Sequence, residues 1–361
     1  MNELTETALT GLPLTELKSL LSPLPAFRCT QIFKWISRGV LDFAQMTDIP
    51  LALREELKSR FPLYSSSVVG CQDGKSAKKI VLALKDGSKI EAVLLSDGKE
   101  RLTACLSTQA GCPGGCVFCK TGSLGFSRNL SSSEIVEQFL FLCAEAAAEN
   151  TLPSAGEDEH LIENIVVMGM GEPLLNLAEL RRAVAVVTDP AGMNFSKRRI
   201  TISTCGICEG LFDLAENGPS VRLALSLTTA DEPLRQKLMP IARGNPLEKV
   251  KEALVLFQRN NGGRITLEAA LLGGINTRSK DAQCIAEFAN GLDTVVNLIP
   301  WNPAAGLEFE GKPLRGPDKR EIDAFIGMLA SRGLKATVRL HKGRSVMGAC
   351  GQLGVLPSEA R

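Results

Sequence analysis

Apolar residues recur with helical spacing in three short stretches near the start of the chain, 14–21, 31–36 and 51–61, with Pro23, Pro25 and Pro50 as breaks between them. Such spacing marks one buried helix face, and proline cannot continue a helix, so a small helical module is expected over residues 1–75. The pattern then changes period. Residues 79–84 and 89–95 read as short strands joined at the hairpin turn Asp86-Gly87, and a strand resumes at 102–108. From there apolar runs of strand length, at 162–168, 199–203, 221–226, 264–269, 294–299 and 335–340, alternate with helical stretches; the helix at 131–149 opens on a capping box of Ser131 with Glu134. Repeated strand–helix units predict an α/β fold with a parallel sheet over 76–361, either a barrel or a doubly wound sheet. Both carry their chemistry in the loops after the strand C-termini.

Composition narrows the setting more than the function. The chain has 361 residues, 44% of them hydrophobic, enough to bury a large core. Its first 24 residues carry Glu3, Glu6, Glu16 and Lys18 without a continuous apolar run, so neither a secretory signal nor a membrane-length segment is expected. Eleven cysteines in that context point to the reducing cytoplasm, where clustered thiols serve metal or redox chemistry. The 41 basic and 40 acidic residues nearly cancel, so any contact with RNA must be local. Candidates are Lys197, Arg198 and Arg199, and a tail group of Arg332, Lys335, Arg339, His341, Lys342 and Arg344; plain solvated surface is the alternative for both.

The most informative segment is Gly111-Cys112-Pro113-Gly114-Gly115-Cys116-Val117-Phe118-Cys119, between an expected strand and an expected helix. Zinc would need a fourth ligand, and His160 and His341 are the only histidines in the chain. A 4Fe-4S cubane usually takes four thiolates, so a three-thiolate loop leaves one iron open to a small molecule, as a catalytic cluster needs. Glycines at 111, 114 and 115 let the backbone fold closely round it.

The spacing CxxxCxxC in the first strand-to-helix loop resembles the radical S-adenosylmethionine superfamily. Five ordered blocks extend the resemblance to the adenine-C2 RNA methyltransferases that modify 23S rRNA and tRNA: 109–130 (QAGCPGGCVFCKTGSLGFSRNL), 168–176 (MGMGEPLLN), 197–206 (KRRITISTCG), 297–303 (NLIPWNP) and 349–353 (ACGQL). Residues 27–36 (FRCTQIFKWI) are similar to the accessory helical module of that family. The resemblance implies a partial (β/α)6 barrel with the helical module and a β-hairpin extension. It also implies one 4Fe-4S cluster on Cys112, Cys116 and Cys119, and S-adenosylmethionine held by Gly171, Glu172, Ser203, Ser226, Leu227, Thr228 and Asn302. Adenine C2 is electron-poor and cannot attack a sulfonium methyl, which is why radical chemistry is required. By the same resemblance Cys350 accepts a methyl from one cofactor molecule and adds its carbon to the base after a second is consumed. Cys105 then resolves the protein–RNA adduct through a disulfide with Cys350, and Glu91 removes the C2 proton. A flavodoxin or ferredoxin as electron donor and a monomeric state complete the expectation.

Three features depart from the family pattern. Thr228 stands where histidine is usual, Ser345 where aspartate is common, and one extra residue separates Glu91 from Cys105. Cys205 and Cys208 are extra thiols, read as buried apolar residues. An adenine-C8 methyltransferase, a divergent paralogue and a non-catalytic iron–sulfur protein that binds RNA are the alternatives; retention of both Cys105 and Cys350 counts against the last.

Overall fold

A computed structural model describes residues 8–98, 101–149, 161–339 and 343–354. The N-terminal module contains α1 (Leu14–Leu20), α2 (Ala26–Ser37) and α3 (Leu51–Arg60), each entered through a proline that ends the preceding extended segment. Three antiparallel strands follow, β1 (Ser66–Gly74), β2 (Ala77–Leu84) and β3 (Lys89–Ser96). The hairpin β2–β3 turns at Asp86-Gly87 as the sequence implies. The strand β1, which the sequence reading placed with the helical module, instead forms the sheet edge. Its Ser-rich stretch carries little periodic apolar signal, and Val68 and Val69 are exposed.

The barrel begins at β4 (Leu102–Cys105), antiparallel to β3. The expected strand 102–108 stops there, and β5 (Gln109–Gly111), the one-turn α4 (Lys120–Ser123) and β6 (Phe126–Asn129) form the cysteine loop, with β5 and β6 paired as a separate small sheet. Then come α5 (Ser132–Glu149), β7 (Ile162–Val167), α6 (Leu177–Thr188), β8 (Ile200–Thr204), α7 (Cys208–Asn217) and β9 (Arg222–Ser226). They are followed by α8 (Glu232–Leu238), α9 (Leu247–Asn261), β10 (Ile265–Leu271), α10 (Ser279–Ala289) and β11 (Thr294–Pro300). A two-residue pair, β12 (Glu308–Phe309) with β13 (Lys312–Pro313), precedes α11 (Lys319–Ala330) and β14 (Ala336–Val338).

The sheet order is β1-β2-β3-β4-β7-β8-β9-β10-β11-β14, parallel from β4 onward. This is the expected partial (β/α)6 barrel with an antiparallel extension on one side. The capping box is formed: Ser131 Oγ accepts from Glu134 N (3.2 Å) and Glu134 accepts from Ser131 N (2.9 Å). One apolar core runs from Leu9, Phe33 and Phe61 of the module into Ile165, Ile202 and Leu267 of the barrel. At the junction Glu137 of α5, fully buried, accepts from Thr10 Oγ1 (2.6 Å) and from the backbone and hydroxyls of Ser65 and Ser66. Among the described residues no helix is long and apolar enough to cross a membrane.

Candidate active site

The parallel strands end on one open cavity with about 180 Å³ of interior room. Cys112, Cys116 and Cys119 line one end of it. Gly114 makes room for their sulfurs: a Cβ there would lie 3.3 Å from Cys112 Sγ and 3.7 Å from Cys116 Sγ. The Gly114 N–H also donates to Cys112 Sγ (3.4 Å), the kind of contact that tunes cluster thiolates. Burial pushes the Cys112 thiol up to about 12 and raises Cys116 and Cys119 as well, so without metal all three are protonated and iron must displace the protons. Among the described residues no three His, Cys, Asp or Glu side chains converge on a single ion. Three thiols from one loop, with no fourth ligand beside them in it, are the donor set of a cubane with one open iron, and on that chemistry these residues fit the cluster.

Along the strand ends the expected cofactor residues fall together, with one exception. Gly171, Glu172, Ser203, Ser226, Thr228 and Asn302 all line the cavity. Leu227 does not: its side chain is fully buried, and its carbonyl accepts from Arg235. Glu172 is itself heavily engaged. One carboxylate oxygen accepts from Leu174 N (3.1 Å) and Thr204 Oγ1 (2.6 Å), the other from Cys205 N (2.8 Å), so it clamps the loop after β7 to the end of β8. Thr228 has a left-handed backbone, φ +60°, which a β-branched residue adopts at a cost of about 1–3 kcal/mol. Hydrogen bonds from its N–H to Glu268 O and to its carbonyl from Asn276, both 2.9 Å, hold it there.

Cys350 borders two spaces at once, the main cavity and a smaller hollow lined by Cys105, Met168 and Arg339. Its segment is stitched over the barrel mouth. Asn302 donates to Cys350 O (3.1 Å), Lys120 N to Gly351 O (2.8 Å), and Thr121 Oγ1 to Leu353 O (2.8 Å). Cys105 is opposite Val93 in the β3–β4 register, so Glu91, two residues from Val93, points to the same sheet face as Cys105. Glu91 is not among the cavity-lining residues. It is buried, pairs with Lys79 Nζ (2.7 Å) and accepts from Gly354 N, and burial raises its carboxyl above the usual range. The disulfide of the expected mechanism is not formed in this state, since all eleven cysteines are free.

Two groups here were not anticipated. Glu268 on β10 is buried in the cavity wall, accepts from Ser203 Oγ (2.8 Å) and faces Arg339 Nη1 (3.8 Å). Its signal in the sequence is the one charged residue in the strand ITLEAAL. Arg339, grouped by sequence with a basic tail, is instead turned inward, while His160, His341 and Lys342 lie outside the described residues. The other basic patch, Lys197–Arg199, sits at the N-terminal end of β8, opposite the cavity, with Arg199 beside Glu163 (3.5 Å). Cys205 lines the cavity and is buried, while Cys208 begins α7 and lies outside the lining.

Comparison with known proteins decides what this arrangement belongs to. Residues 106–282 match the radical SAM superfamily, and residues 7–63 match the ribosomal RNA large subunit methyltransferase N-terminal domain. A protein of Treponema denticola named "Probable dual-specificity RNA methyltransferase RlmN" is 47% identical over 97% of this chain and 96% of its own length. The chain belongs to the dual-specificity RNA methyltransferase family. A Treponema pallidum member with the same name is 43% identical over 96% of this chain and 97% of its own. Among solved structures, a radical SAM methyltransferase from Sphaerobacter thermophilus matches with a TM-score of 0.88 at 36% identity, covering 96% of this chain and 99% of that one. Family membership carries with it a 4Fe-4S cluster and S-adenosylmethionine, the two groups that the thiol loop and the strand-end cavity fit.

Proposed function

We propose that this enzyme methylates C2 of adenine in 23S rRNA and in tRNA, through a carbon carried on Cys350. The observation that carries this reading is the position of Cys350, between the cofactor cavity and the hollow that holds Cys105. When bound, the cluster supplies the electron that splits S-adenosylmethionine into methionine and an adenosyl radical. Cys350 accepts a methyl from a first cofactor molecule and yields one hydrogen atom of it to the radical made from a second. Its carbon then bonds to adenine C2, and the unpaired electron left on the adduct must pass to a one-electron acceptor, for which the oxidised cluster would serve. Glu91 takes the C2 proton, and Cys105 attacks the Cys350 sulfur, so that an S–S bond forms as the C–S bond breaks with its electron pair on carbon, and that carbon takes up a proton to become the methyl group. A dithiol reductant restores the pair.

Gly171, Glu172, Ser203, Ser226, Thr228 and Asn302 orient the cofactor from the strand ends, and the segment 343–354 keeps water from the radical. Stoichiometry follows from these roles: one cluster per chain and two cofactor molecules per methyl added. We take the enzyme to be a cytoplasmic monomer that draws electrons from a flavodoxin or ferredoxin. The adenine-C8 alternative gains no support from relatives named for dual specificity. Mass spectrometry of nucleosides from 23S rRNA and tRNA of cells with and without the gene tests the reading. 2-Methyladenosine is expected to disappear from both RNA classes without the gene. Loss of 8-methyladenosine, or no change in either class, would overturn it.

A further inference from the structure

Arg235, on the face of α8 turned into the barrel, has a completely buried side chain. A guanidinium stays charged in proteins, so burying one requires an anion or a dense set of acceptors. Its contacts are neutral. Nη1 donates to Ser226 O (3.2 Å) and Leu227 O and meets Met239 Sδ (3.5 Å), while Nη2 donates to Cys205 O (2.5 Å). Nε has no partner among the described residues. The nearby carboxylates are committed elsewhere: Glu232, one turn earlier, to Leu247 N (3.0 Å) and Gln236 (3.3 Å), and Glu172 to the end of β8.

The C-terminal end of this helix and the residues just after it pack on the thiol loop. Val117 N donates to Leu238 O (3.0 Å), Ile241 N to Gly114 O (3.4 Å), and the Pro240 ring lies 3.5 Å from where a Cβ on Gly115 would be. Cys205 and Cys116 are the strongest ionisable neighbours of the guanidinium. A cubane held by three thiolates is anionic, and one unit more so when reduced.

We infer that the counter-charge of Arg235 is the iron–sulfur cluster, and that Arg235 thereby raises the cluster's reduction potential and ties its loading to the stability of the barrel. A fixed cation in a dry wall favours the reduced, more negative cluster over the oxidised one. In the metal-free chain the buried cation has Glu232 as its charged neighbour and no anion in hydrogen-bond contact, so the apo state is penalised and loading relieves it.

The rival role is a neutral brace: the guanidinium joins the ends of β8 and β9 through their carbonyls, and its charge is incidental. Two variants of the full chain separate these. Arg235→Lys keeps the charge and loses the planar fork; Arg235→Gln keeps an amide donor and loses the charge. The readouts are iron per chain after anaerobic reconstitution, an EPR-monitored potentiometric titration, and thermal melting of apo and loaded protein. The expected result is a lower midpoint potential in Arg235→Gln, a near-native one in Arg235→Lys, and a narrower gap between loaded and apo melting temperatures in Arg235→Gln. Equal shifts in both variants, or native potentials in both at full iron content, would overturn the inference. If Arg235→Gln takes up no iron, its apo form decides: melting above the native apo protein supports the inference, and melting below it, or failure to fold, refutes it. The inference rests on the ligand set Cys112, Cys116 and Cys119, and the iron content of the native chain shows independently whether that set has failed.

Discussion

Burial pushes the Cys105 thiol up to about 12, so at neutral pH only a small fraction is the thiolate that could attack another sulfur. Arg339, lining the same hollow, is the cation that offsets part of this. The thiolate fraction therefore rises about tenfold per pH unit while pH stays well below that value. If Cys105 resolves the adduct, release of methylated RNA in a single turnover should accelerate across the alkaline range up to the limit of protein stability. Cys105→Ala should instead accumulate a covalent protein–RNA species, seen as a shifted band on a denaturing gel, and Cys105→Ala/Cys350→Ala should not. A band that persists in the double variant would remove both cysteines from these roles. At this scale the three cluster cysteines were legible because they fall in one local run of eight residues, where spacing alone states the chemistry. Glu268, Arg235 and the inward turn of Arg339 were not. Each is a single charged residue whose partners lie far away in the chain, Ser203 being 65 residues from Glu268 and Cys205 30 residues from Arg235, and only the fold brings them together.

The loop after β7 shows how an element sets a binding wall. Gly171 has φ +107°, and a Cβ there would lie 2.6 Å from Gln109 Cβ and 2.8 Å from Gln109 N, backbone of β5 in the cysteine loop. The close approach lets Gln109 Oε1 accept from Glu172 N (2.8 Å), which aims the Glu172 carboxylate at β8. Gly171→Ala should cost about 2–3 kcal/mol of stability through strain and clash. It should also weaken binding of S-adenosylmethionine to the reconstituted enzyme by at least tenfold in equilibrium dialysis. Native affinity with only a lowered melting temperature would make the loop a structural brace rather than a binding wall. The parallel strands were readable because each is a compact apolar run. The edge strand β1 and the short pair β5–β6 were not: their residues are polar or glycine-rich, and pairing with a neighbour, not their own pattern, makes them strands.

Across the whole molecule, the helical module and the barrel meet on Glu137, whose buried carboxylate accepts from Thr10, Ser65 and Ser66. Leaving buried donors without an acceptor costs about 1–3 kcal/mol for each. Glu137→Ala should therefore destabilise the chain by about 3 kcal/mol or more and expose residues 62–66 to limited proteolysis, while Glu137→Gln, which keeps one acceptor, should cost less. Equal protection of that segment in Glu137→Ala would mean that apolar packing alone joins the two parts. One consequence of the covering segment 343–354 concerns the order of biogenesis. The thiol loop at 111–119 leaves the ribosome early and gains Leu238, Ile241 and Trp301 as partners later, but its outer side is closed by Gly351 and Leu353, which emerge after every strand and helix of the barrel. A nascent chain thus presents an uncovered cysteine cradle until the segment 343–354 emerges and docks. Delivery of iron and sulfide is easiest in that interval. A scaffold that hands over a preformed cluster gains access during synthesis that it would later have to regain by breaking the contacts around Cys350.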